Sequence, residues 1–265
     1  MLAYRYSSND TLKSSAPLRF SAGLHMIPHP EKAAKGGEDA AYFSEKILVV
    51  ADGVGGWAEQ GIDPARYSRA LVKAVKEFFP MNEEKYLDNI AELVSASAGH
   101  VKEPGSSTLV IAALKESGDL STANFGDSGY LIFRPDGKGS LETVFESKEM
   151  VHSFNFPFQL GLSGDDPSNT QTNSHKLQKG DFVVLATDGV LDNLDKVEIR
   201  RIVSSATNDP QLGSKDIAKL IATSAFKASQ DTENITPFAE SARKAGMYYK
   251  GGKPDDITVV VGRVE

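Results

Sequence analysis

Apolar residues in this chain fall into short, often β-branched runs that alternate with blocks of helical period. Leu18–Leu24, Ile47–Ala51, Thr108–Leu114, Leu120–Asn124, Tyr130–Phe133, Phe182–Ala186 and Ile257–Val261 read as strands. Ser117-Gly118-Asp119 and Pro135-Asp136-Gly137 are turn sequences, and consecutive hairpins predict antiparallel pairing. Asp63-Pro64 opens a helix with an N-cap and a first-turn proline; Tyr67, Leu71, Ala74, Val75 and Phe78 form its face, and Pro80 ends it. A second helix carries Leu87, Ile90 and Val94 on one stripe, and Ser214 caps a third whose Ile217, Leu220, Ile221 and Ala225 face inward. Helices thus come in two groups, one after the second strand and one before the last. Two antiparallel sheets packed face to face, with helices on both outer surfaces, bury all of these stripes. The expected fold is α+β, a four-layer αββα sandwich over residues 18–265, preceded by a flexible tail at 1–17.

Composition narrows the chemistry. A hydrophobic content of 40% over 265 residues is enough for a sizeable core. With 29 basic against 36 acidic residues the net charge is −7, which argues against nucleic-acid or membrane-surface binding. The absence of cysteine excludes disulfides, thiolate metal sites and a cysteine nucleophile. No apolar run approaches the roughly 18 residues of a membrane helix. The first twenty residues are Ser-rich, with Arg5, Lys13 and Arg19 against Asp10. That composition suits either a plain polar tail or the trimmed end of an organelle transit peptide.

Three acidic steps share one grammar. Val49-Val50-Ala51-Asp52-Gly53 and Leu185-Ala186-Thr187-Asp188-Gly189 end apolar runs on Asp-Gly, and Asp255-Asp256 leads directly into another run. An Asp at a strand mouth is held at a fixed point, and the following glycine permits a sharp turn and a close carbonyl. With Glu38-Asp39, these carboxylates can form a hard oxygen cage for a divalent metal. A long segment, Ser147 to His175, holds Phe154-Asn155-Phe156-Pro157-Phe158 and then a polar half; it reads as a flap beside the site.

In order along the chain stand Gly37-Glu38-Asp39, Asp52-Gly53-x-Gly55-Gly56, Gly105-Ser106-Ser107-Thr108, Gly126-Asp127-Ser128, Thr187-Asp188-Gly189-x-x-Asp192-Asn193 and Asp255-Asp256-Ile257-Thr258. Together they resemble the metal-dependent serine/threonine protein phosphatases of type 2C. Trp57-Ala58-Glu59, Phe154-Asn155-x-Pro157-Phe158 and Gly251-Gly252-Lys253 look like the branch found in mitochondria and plastids. The resemblance implies the four-layer sandwich reached above and a hydrolase acting on phosphoserine or phosphothreonine of phosphoprotein substrates. It further implies a monomer, located in an organelle matrix or stroma or in the cytoplasm.

The same resemblance implies two Mg or Mn ions per site. Asp52 bridges them, the Gly53 carbonyl sits on one, Asp188 and Asp255 complete the first, and Glu38, with Asp39, serves the second. Such a pair activates a water for in-line attack on phosphorus. Some roles stay open. Asp39 either ligates or only hydrogen-bonds to nearby amides, and Asp127 is either a turn residue or a ligand of a weaker third ion shared with Asp188. Asp192 and Asn193 are expected to cap the next helix, and Asp256 to orient Asp255.

Two departures from the common pattern stand out. Val54 occupies the place of a histidine that many relatives use toward the leaving group, and Ala34 the place of a phosphate-clamping arginine. Lys32 or Lys35 is the substitute for the arginine, as a point charge without its bidentate fork. His152 is the candidate acid, set against a purely structural role. The alternative function is a catalytically weak pseudophosphatase that binds phosphoproteins, although retention of Glu38, Asp52, Asp188 and Asp255 argues against it.

Overall fold

A computed structural model describes residues 16–265. The tail expected over 1–17 therefore lies, up to residue 15, outside the described residues. The strands run in chain order as β1 (Phe20–Ile27), β2 (Ala40–Phe43), β3 (Ile47–Ala51), β4 (Ser106–Ser107), β5 (Leu109–Leu114), β6 (Asp119–Phe125) and β7 (Gly129–Pro135). They continue as β8 (Leu141–Glu146), β9 (Val151–Ser153), β10 (Phe156–Pro157), β11 (Leu160–Gly161), β12 (Gln171–Lys176), β13 (Phe182–Ala186) and β14 (Ile257–Val264). The helices are α1 (Pro64–Phe78), α2 (Glu83–Asp88), α3 (Ile90–His100), α4 (Asp188–Leu191), α5 (Lys196–Thr207), α6 (Ser214–Ser229) and α7 (Pro237–Lys244).

Two five-stranded antiparallel sheets result, ordered β1-β14-β13-β7-β8 and β12-β6-β5-β3-β2. Along β3, Ile47, Val49 and Ala51 pack under α1 and α3, while Leu48 and Val50 point at the other sheet. Along β13 the same alternation sends Phe182, Val184 and Ala186 toward α5 and α6, and Val183 and Leu185 inward. Covered on both faces, these central strands read as continuous apolar runs. Each such Val, Leu or Ile removed from water contributes roughly 1.5–3 kcal/mol. The αββα layering expected from the sequence is what the chain forms.

The differences lie at edges and caps. Three of the four sheet edges, β2, β8 and β12, are absent from the sequence reading. β12, Gln-Thr-Asn-Ser-His-Lys, is largely exposed and presents no apolar face, so the polar half of the 147–175 segment includes a strand paired with β6. The stripe Leu87-Ile90-Val94 spans two helices, because Asn89 adopts extended geometry (φ −139°, ψ 81°) and breaks the run. Helix α6 is capped by Gly213, whose N–H donates to Asp216 Oδ2 at 3.0 Å, and Ser214 is its first residue. Asp63 caps α1 as read, accepting from the Ala65 N–H at 3.1 Å.

Candidate active site

Antiparallel pairing gathers the acidic strand ends at one end of the sandwich. Asp52 follows β3, Asp39 precedes β2, Asp188 follows β13, Asp255 precedes β14, and Asp127 lies in the β6–β7 turn. A cleft of about 310 Å³ is lined by Glu38, Asp52, Gly53, Asp127, Asp188 and Asp255, together with Lys32, Val54 and Lys253. From the 147–175 segment, Asn155 and Pro157 border it.

The backbone around Asp52 is fixed by its neighbours. Its N–H donates to Thr108 Oγ1 at 3.1 Å, and its carbonyl accepts from Ser107 Oγ at 2.7 Å and from the Thr108 N–H at 2.9 Å. Gly105-Ser106-Ser107-Thr108 thus works as a support beneath the cleft, as read. The glycines after the two aspartates are required for close approach and not for an unusual dihedral. A Cβ on Gly53 would meet Pro64 O at 2.7 Å and Glu38 O at 2.8 Å, and one on Gly189 would meet Asp256 O at 2.0 Å.

Asp256 organises more than its neighbour. Its backbone N–H donates to Asp255 Oδ1 at 2.9 Å, while its carboxylate accepts from the N–H groups of His29 (2.7 Å) and Glu38 (2.9 Å). It therefore seats the loop that delivers Glu38. Asp39, 3% exposed, accepts from Thr187 Oγ1 at 2.9 Å and so sits directly behind Asp188.

The cluster is strongly anionic. Burial, reinforced by Asp188 and the neighbouring carboxylates, pushes Asp52 well above the usual carboxylate range. Burial likewise raises Asp39 to about 8 and Asp255 to about 6, with Asp188 adding repulsion to both. Burial lifts Asp127 well above the usual range, with Asp188 again contributing. At Asp188 burial acts in the same direction, but the Lys253 ammonium overrides it and holds the carboxyl below its ordinary value. Buried Asp39 Oδ1, Asp127 Oδ1 and Asp188 Oδ1 have no hydrogen-bond partner among the described residues. Unsatisfied buried acceptors of this kind ask for a cation or water.

Hard oxygen donors with orphaned lone pairs fit Mg or Mn and not soft metals. Among the described residues no three acids close around one point as a finished cage. The carboxylates repel one another, and lysine ammoniums stand between some of them. Lys32 Nζ lies 2.5 Å from Glu38 Oε2 and 3.4 Å from Asp256 Oδ2, and Lys253 Nζ lies 2.6 Å from Asp188 Oδ2.

The family model described as Stage II sporulation protein E matches residues 45–265. The probable protein phosphatase 2C 26 of Arabidopsis thaliana is 34% identical over 263 residues, covering 93% of this chain and 84% of that protein. The chain belongs to the protein phosphatase 2C family. Its likeness to the probable protein phosphatase 2C 55 of Arabidopsis thaliana is higher, 42% over 259 residues, covering 94% of this chain. The chain spans only 52–61% of the length of the first curated relatives it matches. Among solved structures, the photosystem II phosphatase PBCP shares 32% identity and a TM-score of 0.83, covering 93% of this chain and 99% of that one. The catalytic domain of the phosphatase PstP, solved with two manganese ions, shares the fold at 18% identity and a TM-score of 0.62, covering 93% and 99%.

Within this type 2C fold, the departures from the common pattern can be located. Val54 lines the cleft beside Asp52, and its side chain has no proton to give. Of the two candidate lysines, Lys32 reaches the cleft, whereas Lys35 does not line it; its carbonyl accepts from Arg69 Nη2 at 3.1 Å. His152 is not brought to the carboxylates. Its Nε2 lies 2.9 Å from Asp165 Oδ1, and its ring stacks on Phe158 at 4.0 Å. One face and one nitrogen are thus engaged within the 147–175 segment itself, with the Phe156 ring 5.2 Å away and tilted.

Asp192 and Asn193 do not cap the following helix, since Asp195 does so by accepting from the Glu198 N–H at 2.8 Å. Asp192 instead pairs with Lys253 Nζ at 2.7 Å, and Asn193 bonds both the N–H and the carbonyl of Lys253. Lys253 is the site residue that the sequence reading passed over. Its signal was the Gly251-Gly252-Lys253 step just before Asp255, noticed there only as a mark of resemblance.

Proposed function

We propose that this chain is a metal-dependent phosphatase that removes phosphate from phosphoserine and phosphothreonine in protein substrates. The observation that carries this reading is the carboxylate cluster of one cleft, where buried Asp127 and Asp188 oxygens lack partners beside Glu38, Asp52 and Asp255. Asp52 and the Gly53 carbonyl, with Asp188 and Asp255, would hold one divalent ion; Asp52 and Glu38, with Asp39 behind them, would hold the second. A weaker third would fall to Asp127 and Asp188, on the side where the Lys253 ammonium already stands. When bound, the ions supply Lewis-acid charge for the phosphoryl oxygens and a water made acidic enough to attack at neutral pH.

The chain's own groups do the rest. Thr108 and Ser107 fix the Asp52 backbone, and Asp256 fixes Glu38, so the donors are positioned before substrate arrives. Lys32 stands at the cleft with one of its three N–H donors uncommitted and is the group that meets phosphate. With Val54 beside Asp52, and no histidine among the residues lining the cleft, the leaving oxygen departs without a histidine donor. Likeness to a photosystem II phosphatase supports an organelle location for this activity.

The test is hydrolysis of a phosphothreonine peptide with added Mn, with Mg, and in excess chelator. Turnover should vanish with chelator and return with either ion. Undiminished turnover in chelator would overturn the reading.

A further inference from the structure

Lys253 is anchored more tightly than a surface lysine has reason to be. Its Nζ lies 2.6 Å from Asp188 Oδ2, 2.7 Å from Asp192 Oδ2 and 3.2 Å from Asp255 Oδ2. Two of its three N–H donors bond to Asp188 and Asp192, and Asp255 stands within ion-pair distance. The ring of Phe238 covers it at 5.1 Å, a cation–π distance, and the side chain is only 15% exposed. The backbone is gripped as well: Lys253 N–H donates to Asn193 Oδ1 at 2.9 Å, and Asn193 Nδ2 donates to the Lys253 carbonyl at 2.8 Å. Surrounded by three carboxylates and largely buried, this ammonium is already neutralised within the site. Next to it, Asp127 has a buried oxygen with no partner. Without the ammonium, Asp127, Asp188 and Asp192 would form a wall of negative charge with no resident cation.

We infer that Lys253 is a tethered cation on the Asp188–Asp192 side of the cluster, which holds the site to fewer divalent ions than its carboxylates would otherwise take. The inference rests on the metal-dependent reading above. It makes Lys253 a positioning residue: it fixes where Asp188 and Asp255 stand and reserves the Asp52 side for exchangeable ions.

The test counts ions and needs no turnover. Mn bound per chain is measured by equilibrium dialysis with electron paramagnetic resonance for the wild type, Lys253→Met, Lys253→Gln and Lys253→Arg, all purified in Mn. Melting temperatures are taken with Mn and in chelator. Both neutral variants should bind one more Mn per chain than the wild type. Their melting temperature in chelator should fall by roughly 10 °C, as expected when one partner of a buried ion pair is removed. Saturating Mn should restore it. Lys253→Arg should keep the wild-type count and most of the metal-free stability. Adding Asp192→Asn to Lys253→Met should abolish the extra ion.

An unchanged Mn count in both neutral variants overturns the inference, whatever the melting temperature does. So does an arginine variant that behaves like the neutral ones. If the wild type binds no Mn at all, the metal-dependent reading is what fails. Equal metal-free melting temperatures for Lys253→Met and wild type then overturn the tethered-cation inference too.

Discussion

Two lysines face each other across the cleft and are held in opposite ways. Lys32 comes from the turn at Pro30–Lys35, its side chain 31% exposed, and touches two carboxylates, Glu38 closely and Asp256 at 3.4 Å. Burial works against its charge, but the bond to Glu38 and the field of Asp256 override this and raise its pKa. Lys253 is surrounded by three acids, capped by a phenyl ring and clamped through its backbone. The same side-chain chemistry thus yields a charge that can turn to an incoming anion and a charge that is part of the scaffold. Each lysine bonds two carboxylates; what separates them is enclosure, since Lys253 has a third acid within ion-pair distance, a phenyl ring over it and the lower exposure.

The largest effect should come from the acids between the two lysines. Asp52→Asn and Asp188→Asn keep volume but remove charge, and each should lower the metal-supported rate by at least about a hundredfold. Near-normal rates in both variants would show that neither wall holds the ions. Next comes the mobile charge. Lys32→Met should cut kcat/KM for a phosphopeptide by roughly tenfold, the worth of a charged hydrogen bond, while the Mn count stays the same. A lost ion in place of weakened substrate use would erase the distinction between the two lysines.

Acidity gives a third test. Asp39 and Asp255 titrate in the folded protein near 8 and 6, above their unfolded values. The metal-free fold then holds protons that the unfolded chain has released, so the contribution of these two acids to stability is fullest below about pH 4 and is lost as pH rises toward 8. Asp188, depressed by Lys253, works the other way only below that range. Melting temperatures in chelator should therefore fall from pH 5 to pH 8, and saturating Mn should flatten or reverse the slope, because ions bind the deprotonated acids. A metal-free protein that gains stability over this span would contradict the burial of these acids.

The smallest effect is reserved for His152, which belongs to neither wall. His152→Ala should lower the melting temperature by about 2–4 °C, the scale of one partly exposed pair. It should change hydrolysis of para-nitrophenyl phosphate and of a phosphoserine peptide by the same factor. Selective loss on the peptide, whose alkoxide leaves poorly, would return the histidine to the role of acid.

The central strands and the acidic strand mouths were legible because both obey local rules. A strand buried on two faces must be apolar throughout, and an Asp-Gly that ends one marks a fixed carboxylate. What escaped was set by partners distant in sequence. Lys253 acquires meaning only when β13 and β14 bring Asp188 beside it, 65 residues away along the chain. Asp192 looks like a helix cap because Asp192, Asn193 and Asp195 crowd into four positions, and the chain uses the last of them. The break at Asn89 was masked by apolar residues that keep helical spacing across it. His152 is a case where sequence position, next to a flap motif, carried no information about the direction of its ring.

The strands that pattern reading passed over have a further consequence. β12 exposes Gln171, Thr172, Asn173 and Ser174 along the outer margin of its sheet, and β2 at the opposite margin is only four residues long. An open margin offers unpaired amides and carbonyls to any other extended chain, and polar or very short edges are poor templates for such growth. The lack of an apolar face that hides β12 from a hydrophobicity reading therefore also protects this sheet against self-association.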